Sequence, residues 1–158
     1  MNAGRGSRLA VRAVLAVLAF LDIGTGLWAV LAPADWYANF PGLGRHWVVS
    51  TGPFSEHLVT DAGAGFLAIG AALLVAALWM ARPAILTALT AVLAQGVPHF
   101  IFHISHPDSA LGTIDVVLGV WGIGFECAVA VALAVVVARW GRSSGGRAAA
   151  AEGSRAPQ

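Results

Sequence analysis

Four apolar stretches, each about as long as a bilayer is thick, leave few folds open to this chain. They run from Val11 to Ala32, His57 to Met80, Ala84 to His103 and Ile114 to Ala138. A helix rising about 1.5 Å per residue needs about 20 apolar residues to cross roughly 30 Å of hydrocarbon. Lipid offers no partner for a bare N–H or C=O, so apolar runs of this length are read as helices, which satisfy their own backbone. Composition agrees. Of 158 residues, 58% are hydrophobic and 11% charged, against about 45–50% and about 25% in soluble domains. A soluble globule so poor in charge would expose wide apolar patches and aggregate. The expected fold is all-α, an integral membrane four-helix bundle. Residues 1–10 are expected as an N-terminal tail, 11–138 as the four-span domain with one substantial loop at 33–56, and 139–158 as a disordered, Gly/Ser/Ala/Arg-rich tail.

The charges orient this bundle. All nine basic residues are arginine and the net charge is +1, which gives no steering field toward nucleic acid. Arg5, Arg8 and Arg12 precede or open the first run, Arg82 sits between the second and third, and Arg139, Arg142 and Arg147 follow the fourth. All fall on one side of a four-span arrangement, and Arg45 alone falls on the other. Arginine is enriched on the cytoplasmic side, so both termini are expected there, in the cytoplasmic (plasma) membrane, with the 33–56 loop outside. That loop carries Trp36, Tyr37, Phe40, Trp47 and Phe54. It reads either as a loop lying on the bilayer surface or as a cap over a site between the helices. A cleaved signal peptide fits the first run less well, because the run is longer than a usual signal core and contains Asp22.

Ionisable groups inside membrane helices are costly and usually face the bundle interior. Asp115, Gly119, Gly122 and Glu126 share one helical face of the fourth run, and His57, Asp61, Ala64, Gly65, Ala68 and Ala72 share one of the second. Asp22 lies near mid-membrane on the first. Gln95, His99, His103 and His106 share a face of the third if the helix continues through Pro98. In the inferred orientation most of these residues gather in the outer half, giving an expected pocket of Glu56, His57, Asp61, His99, His103 and Asp115, with Gln95, Asp22 and Glu126 as further ligand- or proton-handling candidates.

Several chemistries fit that set. His57, Asp61, His99 and His103 could bind a metal ion, since imidazole and carboxylate suit Zn, Cu, Fe or Ni. His57 with His99 or His103 could be the axial pair of a haem in an oxidoreductase subunit linked to quinone. A chain from Asp61 through His99 to Glu126 would serve as a proton relay in a small transporter. The same residues could equally hydrogen-bond across helices and do nothing more. The leading expectation is a non-enzymatic or accessory protein binding a small ligand, metal or cofactor, with the oxidoreductase second. Its partners are the lipid bilayer and either further copies of itself or a membrane complex. The single cysteine, Cys127, allows no internal disulfide and no CxxC pair.

The stretches Phe40-Pro-Gly-Leu-Gly-Arg-His46-Trp47, Gly52-Pro-Phe-Ser-Glu56-His57-Leu-Val-Thr-Asp61 and Gly96-Val-Pro-His99, with His103 and His106, resemble a group of small four-span membrane proteins of actinobacterial type. These are broadly similar to DoxX-like membrane proteins, and the resemblance covers about Ala10 to Ala138. It implies a four-span fold and, through DoxX-like relatives, an association with membrane redox or thiol-stress complexes. It carries over no catalytic residue.

Overall fold

A computed structural model describes residues 3–140. The helices are α1 (Ala3–Leu31), a short α2 (Pro33–Asn39), α3 (Glu56–Trp79), α4 (Arg82–Ser105) and α5 (Thr113–Arg139). Four of them, all but α2, are long and apolar enough to cross a membrane, which makes this a multi-pass membrane protein. Between α2 and α3 lie a two-strand hairpin, β1 (Pro41–Gly42) with β2 (Arg45–His46), and a single 3-10 turn (Val49–Thr51). α1 is helical from Ala3, so Arg5 and Arg8, expected in a tail, stand on the helix itself. Arg142 and Arg147 lie outside the described residues, as does the expected tail from residue 141.

Local chemistry sets the helix ends. Pro33 occupies the first turn of α2 and Pro83 that of α4, where a missing N–H costs nothing. Ser55 caps α3 by accepting the Leu58 N–H at 3.4 Å, and Glu56 adds a negative charge beside the positive end of the helix dipole. α3 stops at Met80, which takes the left-handed conformation (φ 52°). α4 continues through Pro98 to Ser105.

The helices form two tight pairs, α1 with α3 and α4 with α5, joined through the α3–α4 turn. Glycine sets the first pair. A Cβ on Gly26 would stand 2.7 Å from the Gly63 carbonyl oxygen and the Leu67 nitrogen, and one on Gly70 would stand 2.8 Å from the Ile23 nitrogen. Backbones approach so closely only where small residues meet.

The core is lopsided. Toward the end carrying the termini, one apolar cluster joins all four long helices through Leu15 and Leu18, Leu73 and Ala76, Ile85 and Val92, and Ala130 and Val137. Toward the loop end, α4 has no fully buried residue after Val92 and α5 none before Ala130. A small second cluster of Ala29, Trp36 and Val59 there involves α1, α2 and α3 only. The outer surface is apolar, with Phe20, Leu78, Trp79 and Trp121 exposed, as suits contact with lipid.

Candidate functional site

The loop between α1 and α3 folds onto itself and then onto α5. Trp36 and Phe40 pack at a tilt with ring centroids 4.9 Å apart, Trp47 meets Phe40 edge-on at 6.1 Å, and Tyr37 packs on Phe54 at 5.3 Å. The Trp28 indole N–H donates to Asp35 at 2.6 Å, and the Tyr37 hydroxyl donates to the Gly52 carbonyl. The hairpin tip, Gly42-Leu43-Gly44, has positive φ at all three residues, a geometry glycine adopts without steric cost. This compact loop reaches the first turn of α5, where the Asp115 carboxylate accepts from the Arg45 guanidinium and, at 2.8 Å, from the Trp47 indole N–H. The Trp47 ring lies against Gly119 one turn on, 3.8 Å from the position a Cβ would take. The loop thus caps the start of α5 at Asp115 and Gly119.

Under the cap lies a cavity of about 270 Å³ between the ends of α4 and α5. Trp47 and Phe102 are its aromatic walls, and His103, His106, Asp108 and Asp115 supply polar groups. A wider, more open hollow of about 640 Å³ lies beside it, and Asp115, Ser50 and Leu111 line both. His103 and His99 face one another, Nε2 to Nε2 at 2.9 Å. One of these nitrogens must donate and the other accept, so the pair is held in complementary tautomers. The Ser50 hydroxyl and the Ala110 N–H (2.8 Å) hold the Asp108 carboxyl below its ordinary range. Asp108 therefore stays ionised at neutral pH.

The predicted residues divide between this cavity and other places. His103 and Asp115 line the cavity, and His99 stands behind His103. Glu56, His57 and Asp61 do not join them. His57 and Asp61 contact each other at 3.4 Å on an outward face of α3, with side chains 84% and 63% exposed. The α3 face that packs inward carries Val59, Gly63 and Gly70. His57 and Val59 are two residues apart, which puts them about 200° apart around the helix. Close glycine packing against α1 turns the polar stripe away from the bundle. Likewise His57 is not brought to His99 or His103. Among the described residues, no three His, Cys, Asp or Glu side chains gather closely enough to hold a metal ion.

Asp22 is 8% exposed on α1, its Cβ 3.0 Å from where a Gly70 Cβ would stand, and its Oδ2 has no hydrogen-bond partner. Glu126 on α5 is half-buried. Gln95 is half-buried on α4. Sequence reasoning did not name Arg45, Trp47, Ser50 or Asp108 among the site residues, although Trp47 belongs to the loop read as a cap and Asp108 flanks the start of the fourth run at the same end. The available signal was Arg45, the lone arginine at the loop end, whose natural partner is a carboxylate at that same end.

The chain matches no family model, no curated protein and no solved structure.

Proposed function

We propose that the protein lies in the cytoplasmic membrane with both termini in the cytoplasm, and that it binds a small molecule in the capped cavity at its loop end. The occupant has an apolar body that fits between Trp47 and Phe102 and a polar head that meets His103 and His106. One observation carries the reading. A loop whose aromatics pack on one another is tied by Arg45 and Trp47 to Asp115 and so roofs a concave, partly polar space, the usual character of a small-ligand site. The orientation rests on the arginines. Arg5, Arg8, Arg12, Arg82 and Arg139 stand at one end of the bundle and Arg45 at the other. Kinship with DoxX-like membrane proteins belongs to the same proposal and rests on the motifs quoted above.

The test uses full-length protein purified in mild detergent. Native mass spectrometry reads any co-purifying small molecule, while elemental analysis and a visible spectrum read metal and haem. The expected result is a bound molecule that is lost from Trp47→Ala and from His103→Ala while helicity is retained. Folded wild-type protein that carries no molecule, metal or haem would overturn the reading.

A further inference from the structure

We propose that the occupant of the capped cavity is a membrane lipid, which enters sideways from the bilayer and presents a head that donates hydrogen bonds and carries no negative charge; this rests on the reading of that cavity as a ligand site. The lining is graded along the helices. Ser50, Thr51 and Asp108 come from the loops and form the roof, whereas Phe102, Val116 and Val120 stand on α4 and α5 and form the floor. Val120 is seven residues past Thr113, roughly 10 Å of helical rise. α5 has 27 residues, about 40 Å, of which hydrocarbon takes about 30 Å. Each end then spends about 5 Å among headgroups, so the floor lies at acyl depth and the roof at the water interface. The wall is open toward the bilayer. No residue of α4 after Val92 or of α5 before Ala130 is fully buried, and Phe102 is 58% exposed. The cavity volume of about 270 Å³ is below the roughly 300–1,000 Å³ of sites that enclose a whole ligand. It encloses a head and leaves a chain to run out past Phe102 into the lipid.

A second observation, independent of depth, characterises the head. The side-chain donors that line the cavity, His103 aside, are already spent. The Trp47 indole N–H goes to Asp115 at 2.8 Å and the Thr51 hydroxyl to the Val48 carbonyl at 2.7 Å. The Ser50 hydroxyl stands between the Trp47 carbonyl, at 3.1 Å, and Asp108. The His106 Nδ1 lies 3.2 Å from the Phe102 carbonyl, which can only accept, so Nδ1 carries the proton and Nε2 of the neutral ring accepts. Arg45 and Trp47 both bond Oδ1 of Asp115, which leaves Oδ2 to accept. The unspent capacity is therefore that of acceptors: His106 Nε2, the Asp108 carboxylate and Asp115 Oδ2. A hydroxyl or an amine satisfies them by donating, and a hydroxyl also meets His103 whichever of its nitrogens is free. A phosphate head brings only further acceptors and negative charge. It would face two carboxylates whose arginine, Arg45, is already engaged.

The test uses the full chain in nanodiscs of phosphatidylcholine, whose head has no donor, with a monoacylglycerol that carries a photoreactive diazirine at the start of its chain. Peptide mass spectrometry locates the adduct. The expected result is saturable labelling at Phe102, Val116 or Val120. That labelling should be lost when unlabelled monoacylglycerol or an alkylamine of the same chain length is in excess, and kept in the presence of lysophosphatidic acid of that length or of free glycerol. The relative strength of the first two competitors separates a hydroxyl head from an amine head. Gly119→Leu, which fills the floor beside Trp47, should lose the label while helicity persists, and the wild-type competition series decides the matter if this variant misfolds. Labelling that does not saturate, or that falls equally on lipid-facing Leu78 and Trp121, would overturn the proposal, as would equal competition by lysophosphatidic acid. Competition by free glycerol, or a water-soluble molecule found in the cavity by native mass spectrometry, would overturn the lipid while keeping the cavity as a ligand site. A cavity empty of every molecule would remove the underlying site as well.

Discussion

Arg45 in the loop hairpin and Asp115 in the first turn of α5 are ion-paired across 70 residues of sequence, and the Trp47 indole N–H shares the same carboxylate oxygen. The pair is partly screened, with side chains 36% and 27% exposed, so its loss is a modest effect. Arg45→Ala is expected to cost about 1 kcal/mol. Asp115→Ala is expected to cost more than Arg45→Ala, because it leaves both the guanidinium and the indole N–H without an acceptor. A double-mutant cycle by thermal denaturation in detergent measures the coupling. Equal effects of the two single substitutions would show that Trp47 does not depend on Asp115.

The α1–α3 seam gives a steric prediction. A methyl group on Gly26 would meet the Gly63 carbonyl and the Leu67 nitrogen at 2.7 Å, and backbone atoms cannot swing aside as a side chain can. Gly26→Ala is therefore expected to destabilise the bundle by about 1–3 kcal/mol, as overpacking does. Gly65 faces open space, so Gly65→Ala should instead stabilise by up to about 1 kcal/mol through helix propensity. The same melting experiment should show shifts of opposite sign.

That seam also explains what the sequence did and did not reveal. Hydrophobic length is a local property, so the four long helices could be read directly, and the i,i+4 spacing of His99 and His103 put them on one face of α4, which is continuous through Pro98. Phase says which residues share a face but not where that face points. His57 and Asp61 do share a face, but Gly63 and Gly70 claim the inward side of α3. The cap was harder to read because its anchor, Asp115, is remote in sequence from Arg45. Its internal order depends on aromatic packing among Trp36, Phe40 and Trp47, which has no simple period.

Closure of the cap should depend on pH. The Ser50 hydroxyl and the Ala110 N–H favour the charged form of Asp108, so its pKa in the folded loop is depressed. A depressed carboxyl stabilises the folded arrangement above its ordinary titration range, and that contribution is lost as pH falls through the lowered value. Proteolysis of the loop, read by mass spectrometry with an acid-active protease, should accelerate on acidification below the usual aspartate range. Asp108→Asn should show rapid cleavage at every pH and remove this dependence. An unchanged pH profile in that variant would assign the acid sensitivity to another group.

The orientation can be tested at the hairpin tip. Leu43 is fully exposed at the loop end, while Arg8 at the other end stacks over Trp140, 5.1 Å from its ring. Placing the arginine-bearing end in the cytoplasm puts Leu43 outside. Native Cys127 is half-buried inside the α4–α5 pair, so Cys127→Ser provides a thiol-free background in which Leu43→Cys and Ser7→Cys can be compared. In intact cells, a membrane-impermeant maleimide should modify the cysteine at position 43 and spare that at position 7, with both reacting after lysis. The reverse pattern would place Arg45 and its bond to Asp115 on the cytoplasmic side, and the capped cavity would then draw its ligand from the cell interior.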